Sequence, residues 1–114
     1  MSWLLRDGEV LASLEVASSR RDRRRGLLGR DDFEGAMLIE RVRSVHSLGM
    51  RFPIDVAFCD DEMVVVKTLR LEPHRITAPV LRAHSVIEAE AGRFAHWTLC
   101  PGDHLEVAGE HPDA

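Results

Sequence analysis

Residues 54–60, Ile-Asp-Val-Ala-Phe-Cys-Asp, constrain the fold more than any other stretch of the chain. Ile54, Val56 and Phe58 share one side of an extended segment, while Asp55, Ala57 and Cys59 share the other, the period of a strand. Asp60-Asp61 then predicts a turn, and Met63 to Leu71 returns as a longer apolar strand. A second hairpin is predicted at the start of the chain. Trp3 to Arg6 and Glu9 to Val16 flank Asp7-Gly8, a dipeptide suited to a two-residue turn with φ > 0. Gly35 to Glu40 and Ser85 to Glu90 read as further strands, with a short extended piece from Ser44 to Leu48 leading to Gly49. Pro73 and Pro79 bracket a loop, and Pro101-Gly102-Asp103 turns the chain into a last strand, His104 to Val107. Helix is expected in two places only. One runs from a Ser18 or Ser19 cap through Arg20–Arg25 to Leu28 and stops at Gly29; the other is a turn within Ala91 to Trp97. The expected fold is therefore α+β and β-rich, a curled antiparallel sheet or small barrel of about six or seven short strands with one or two short helices. A single domain over residues 1–108 and a polar tail over 109–114 account for the whole chain.

At 114 residues the chain is long enough to bury one core without staples. The formal net charge of −4 argues against a general nucleic-acid partner, which calls for a basic face. Two cysteines, Cys59 and Cys100, are too few for a disulfide scaffold or a thiolate zinc site. His96, Cys100 and His104 are spaced by four, but Pro101 and Gly102 break any helix that would align them. No metal and no cofactor are expected, and Cys100 is read as a small buried hydrophobe. The first residues lack the apolar run of a secretory signal, and no apolar stretch is long enough to span a bilayer. A cytoplasmic protein without a membrane partner is the expectation.

Two polar clusters stand out. Arg20, Arg21, Arg23, Arg24, Arg25 and Arg30 crowd into eleven residues with Asp22 as the only acid. Guanidinium groups suit oxyanions, yet Asp31, Asp32 and Glu34 follow directly, and fourteen of the fifteen basic residues in the chain are arginine. A solvated helix face is the plainer reading. The second cluster places His46, Arg51 and Asp55 within ten residues, just ahead of the clearest strand. An aspartate beside an arginine stays ionised and suits orientation of a ligand or an imidazole better than acid catalysis. A structural Arg51–Asp55 pair at a Gly-Pro corner explains the same residues.

Together these residues resemble a known family. Arg23-x-Arg25-Gly26-Leu27-Leu28-Gly29-Arg30, then Ala36-Met37-Leu38, then His46 through Met50-Arg51-Phe52-Pro53-Ile54-Asp55-Val56-Ala57-Phe58 with Asp60 following, resemble the DUF192 family, also called UPF0127. Gly102-Asp103 resembles its closing turn. Leu28 stands where many members have methionine, Ser47 replaces a threonine, and Gly49 falls where an aromatic is frequent. The resemblance covers about residues 10 to 107 and implies a compact β-rich domain. It implies no activity, cofactor or substrate class. Three functions follow as expectations. The first is a binding or accessory module in which Arg25, Arg30, His46, Arg51 and Asp55 line one pocket for an anionic or carboxylate-bearing ligand, with Asp55 orienting Arg51 or His46. The second is a structural or protein-interaction domain without a small-molecule site. The third is a hydrolase-like enzyme with His46 as base, oriented by Asp55, and Cys59 as nucleophile.

Overall fold

The structure, a computed structural model, describes residues 2–17 and 33–109. The predicted helix over 18–29, with Arg25 and Arg30, lies outside the described residues, as does most of the tail. Seven strands form the described domain: β1 (Ser2–Arg6), β2 (Glu9–Ala17), β3 (Ala36–Glu40), β4 (Ile54–Cys59), β5 (Val65–Leu71), β6 (Ser85–Glu90) and β7 (Leu105–Ala108). A five-residue helix, α1 (Arg93–Trp97), sits between β6 and β7. The strands form one sheet in the order β5-β4-β6-β3-β2-β1-β7. All neighbours are antiparallel except β2 and β3, which pair in parallel with Leu14 opposite Ala36 and Ala17 opposite Ile39. The sheet curls strongly into a half-barrel. At one end its two edges meet, where His104 bridges Val64 and the Val65 and Leu105 amides donate to Asp103 and Met63 carbonyls.

Local sequence explains the elements. Asp7 and Gly8 both take positive φ, 53° and 78°, as the predicted two-residue hairpin turn requires. Parity then divides the core. Leu4, Leu14, Leu38, Ala57, Val65, Ile87 and Leu105 contribute one residue from every strand to a single inner cluster, which Phe94 and Trp97 of α1 join. Alanines 36, 57 and 89 belong to the same cluster, as expected of a tightly curled interior with little room. The opposite parity, Met37, Ile39, Ile54, Val56, Phe58 and Val86, forms an outer cluster that Val45, Met50, Phe52 and Ala83 cover from the connecting segments. Strand β4 is consequently buried at all six positions.

At the entry to β3 the sheet demands a glycine. Gly35 has φ 87°, and a Cβ there would sit 2.7 Å from the Ser13 carbonyl oxygen. Gly8 has similarly positive φ but nothing within 4 Å of its Cβ position. Gly35→Ala is therefore expected to lose on the order of 2–3 kcal/mol in urea unfolding, and Gly8→Ala only about 1 kcal/mol. Equal losses would show that the backbone conformation, and no contact with Ser13, sets the cost.

Candidate functional site

Two connecting segments, 41–51 and 72–84, run against each other as an irregular ribbon rather than as the separate strand and loop predicted. Arg41 donates its N–H to the His84 carbonyl, Val80 to Arg43, Thr77 to Val45, and Ser47 to Arg75, each within 2.9 Å. His46 and Ile76 form an isolated bridge. The buried hydroxyl of Ser47 fastens the ribbon: its Oγ donates to the Glu72 carbonyl and accepts from the Arg75 N–H at 2.9 Å. Its own carbonyl accepts from the His74 and Met50 amides. Val45, Ser47, Met50 and Phe52 turn inward, while His46, Leu48 and Arg51 turn outward. The inward set covers the outer core, so the outward direction of His46 and Arg51 follows from packing.

Two imidazoles meet at the ribbon tip. The Leu48 N–H donates to His46 Nδ1, and the next amide, Gly49 N–H, donates to His74 Nδ1, both at 3.2 Å. Each ring accepts at Nδ1, which leaves Nε2 to carry the N–H donor. Both side chains are exposed. Over 41–51 and 72–84 the ribbon carries Arg41, Arg43, Arg51, Arg75 and Arg82 with three histidines against one acid, Glu72, which pairs with Arg70 of β5 at 2.8 Å, in a chain of net charge −4. The acidic excess lies elsewhere.

Asp55 has a different task from the one expected of it. Its Oδ2 accepts from the Gly92 and Phe94 amides at 2.9 and 3.0 Å, so it caps α1 from a neighbouring strand. It shares the inner-face parity of Ala57 and Cys59, whereas the segment carrying His46 and Arg51 packs on the outer face. The Asp55 carboxylate thus orients the first turn of α1, instead of His46 or Arg51. Cys59 is fully buried in the inner core, and burial, with a smaller contribution from Asp60, pushes its thiol up to about 12. Burial closes the thiol off from solvent and disfavours its thiolate, so the surroundings of Cys59 give a nucleophile no support. Cys100 corrects another expectation: it is exposed, in a turn held by Asp103. α1 ends at Trp97, so His96, Cys100 and His104 do not share a helix. Among the described residues no cluster of three or more histidine, cysteine or acidic side chains is arranged to hold a metal, and no helix is long and apolar enough to cross a membrane.

Sequence reasoning passed over three residues. In the sequence Ser47 stands out only as a replacement for a threonine. Arg6 reaches from β1 to the Trp97 carbonyl at 2.6 Å and to Asp103 at 3.0 Å, fastening the end of α1 across more than ninety residues. Glu88 sits in the middle of β6 on the outer-core parity, with Val56 and Met37 as its cross-strand neighbours. It is only 3% exposed, and desolvation raises it from its ordinary 4.5 to about 7. An acid at a strand position of outward parity was the available signal, but solvent is the usual partner of that parity.

The fold and ribbon define a β-rich half-barrel domain with an exposed basic ribbon. The chain belongs to the DUF192 family, described as an uncharacterised ACR, whose model matches residues 3–107. A protein of unknown function from Novosphingobium aromaticivorans DSM 12444 has the same fold, with a TM-score of 0.79 and 20% identity over 92% of this chain and 82% of that one. A protein described as a putative transcription regulator from Sinorhizobium meliloti 1021 superposes with a TM-score of 0.78, at 23% identity over 96% of this chain and 93% of that one. No curated protein matches the sequence.

Two outcomes follow. Removing the charge that caps α1, Asp55→Asn, is expected to cost about 2 kcal/mol in urea unfolding, because two amide donors lose an ionised acceptor. Glu88 binds its proton more tightly folded than unfolded. Its contribution to stability is therefore complete below about pH 4.5, falls as pH rises to about 7, and is flat beyond. The stability of wild type relative to Glu88→Gln should fall on the order of 3 kcal/mol across that window. A pH-independent difference would show that Glu88 ionises normally in the folded protein.

Proposed function

We propose that this domain is a binding module for an anionic or carboxylate-bearing ligand, recognised on the outward side of the 41–51/72–84 ribbon. The observation that carries the reading is the inward–outward alternation from Val45 to Phe52. It turns His46 and Arg51 to solvent on a segment whose other side is fastened by Ser47 and the outer core. A rigid backing with polar groups aimed outward suits recognition, because little ordering is left to be done when a ligand arrives. Five arginines and three histidines face a single acid along the ribbon, Glu72, which pairs with Arg70 of β5; this balance favours an anion, and guanidinium and imidazole N–H groups supply charge-assisted or neutral donors to its oxygens. Asp55 belongs to the scaffold in this reading.

A protein-interaction role is the second reading. Leu48, Ile76 and Leu81 are 46, 69 and 80% exposed, and all three lie on this ribbon. Large aliphatics at that exposure suit an apolar partner surface.

His46→Gln and Arg51→Gln are each expected to change folding stability by no more than about 0.5 kcal/mol, as exposed groups do. Titration with citrate, followed by amide NMR, should shift the signals of residues 46–51 and 74–76, and each substitution should weaken binding several-fold. Unfolding losses above about 2 kcal/mol in both variants, without citrate shifts in the wild type, would mark the motif as structural and sink the reading.

A further inference from the structure

At the root of the ribbon, where the chain leaves β3 and enters β6, a cleft of about 350 Å³ opens between Arg41, Val42, Arg43, Ala83 and His84. Among the described residues its lining holds two arginines and a histidine, and no acid. The backbone around it is fixed from two sides: Arg41 N–H donates to the His84 carbonyl, and His84 N–H donates to the Cys59 carbonyl at 2.7 Å. Arg43 is fixed at its side chain as well. Its Nε donates to the Ala83 carbonyl at 3.3 Å, which holds the guanidinium plane and leaves both Nη groups as donors. Arg41 has φ 59°, a left-handed conformation disfavoured for a residue with a Cβ, and such outliers gather where a site constrains the backbone. The carboxylate next to Cys59 is engaged in its own turn, where Asp60 Oδ1 accepts from the Glu62 and Val64 amides.

We propose that this cleft is a binding site for a small phosphorylated molecule, with Arg43 and His84 donating to the phosphoryl oxygens and Val42 and Ala83 receiving its carbon skeleton. This rests on the anion-binding reading and names the ligand class and its seat. The guanidinium fork matches two phosphoryl oxygens, and the imidazole approaches as a separate donor, an arrangement that suits a tetrahedral oxyanion better than a planar carboxylate. The volume lies at the small end of ligand sites, enough for a phosphomonoester of a few carbons and too little for a nucleotide to be enclosed.

The test is an amide NMR titration of the full chain with inorganic phosphate and with glycerol 3-phosphate, using malonate as the carboxylate control. Both phosphates should give saturable shifts at Val42, Arg43, Ala83 and His84, with glycerol 3-phosphate the tighter and malonate at least tenfold weaker. Arg43→Gln should weaken phosphate binding about tenfold. Because that change also removes the contact to Ala83, His84→Gln serves as a second variant on an exposed side chain, with a loss of about fivefold expected and a dispersed spectrum as the folding control. Shifts confined to residues 46–51 and 74–76 would overturn this site and leave the broader reading standing. Malonate binding as tightly as phosphate, or undiminished affinity in both variants, would also overturn it. No saturable shift with any of the anions would overturn both proposals together.

Discussion

Strand β4 has no solvent-facing side. From Ile54 to Cys59 every residue is buried, so the sheet around it has to be filled on its concave face and roofed on its convex one. The rest of the architecture answers those two demands. The concave face is closed by curling, with alanines admitting the curvature and α1 laying Phe94 and Trp97 across the opening. The convex face has no second sheet to cover it among the described residues. Connecting segments do that work, sending Val45, Met50, Phe52 and Ala83 down onto Val56, Phe58 and Val86. A loop recruited as a roof is rigid on its lower side, and its upper side is then free to carry chemistry.

Polar anchors hold both coverings in place, and each satisfies backbone groups that would otherwise be buried unpaired. Asp55 supplies an acceptor to the first turn of α1, whose short length leaves it few intrahelical bonds of its own. Arg6 supplies donors to the carbonyls at the other end, and Asp103 balances its charge. Ser47, fully buried, uses its hydroxyl as donor and acceptor at once, which a threonine would also allow and an alanine would not. Leaving any of these backbone groups without a partner in an apolar setting costs more than the bond itself contributes when made.

This division explains what was legible beforehand. The Asp7-Gly8 hairpin and the parity of Ile54 to Cys59 are local patterns, and both appear in the structure as the residues imply. The DUF192 resemblance was legible too, since each of its separate motifs is a short run of neighbouring residues. The partners of the polar residues were not, because they are distant in the chain. Asp55 meets its amides nearly forty residues later, and Arg6 crosses more than ninety to reach Trp97. The parallel pairing of β2 with β3 escaped because hairpin spacing says nothing about a long connection. Cys100 looked like core because free cysteines usually are, and no short-range pattern contradicted that.

The stretch from His46 to Asp55 therefore mixes two kinds of residue that a motif cannot distinguish. Ser47 and Asp55 are kept in place by what they hold up, and their chemistry is spent on backbone amides and carbonyls. His46 and Arg51 have exposed side chains, and the core beneath them is complete without their polar ends. A sequence motif can hold both kinds side by side, because only the first kind is fixed by what it packs against. Glu88 marks the opposite arrangement, a carboxyl placed where burial penalises its charge and the sheet offers Val56 and Met37 as neighbours. Folding is weakened by that placement at neutral pH, so the position is one where the structure departs from its own stability optimum. The outer face of the half-barrel thus bears both the buried acid Glu88 and the ribbon with its exposed cations, two departures from an apolar core under a plain loop.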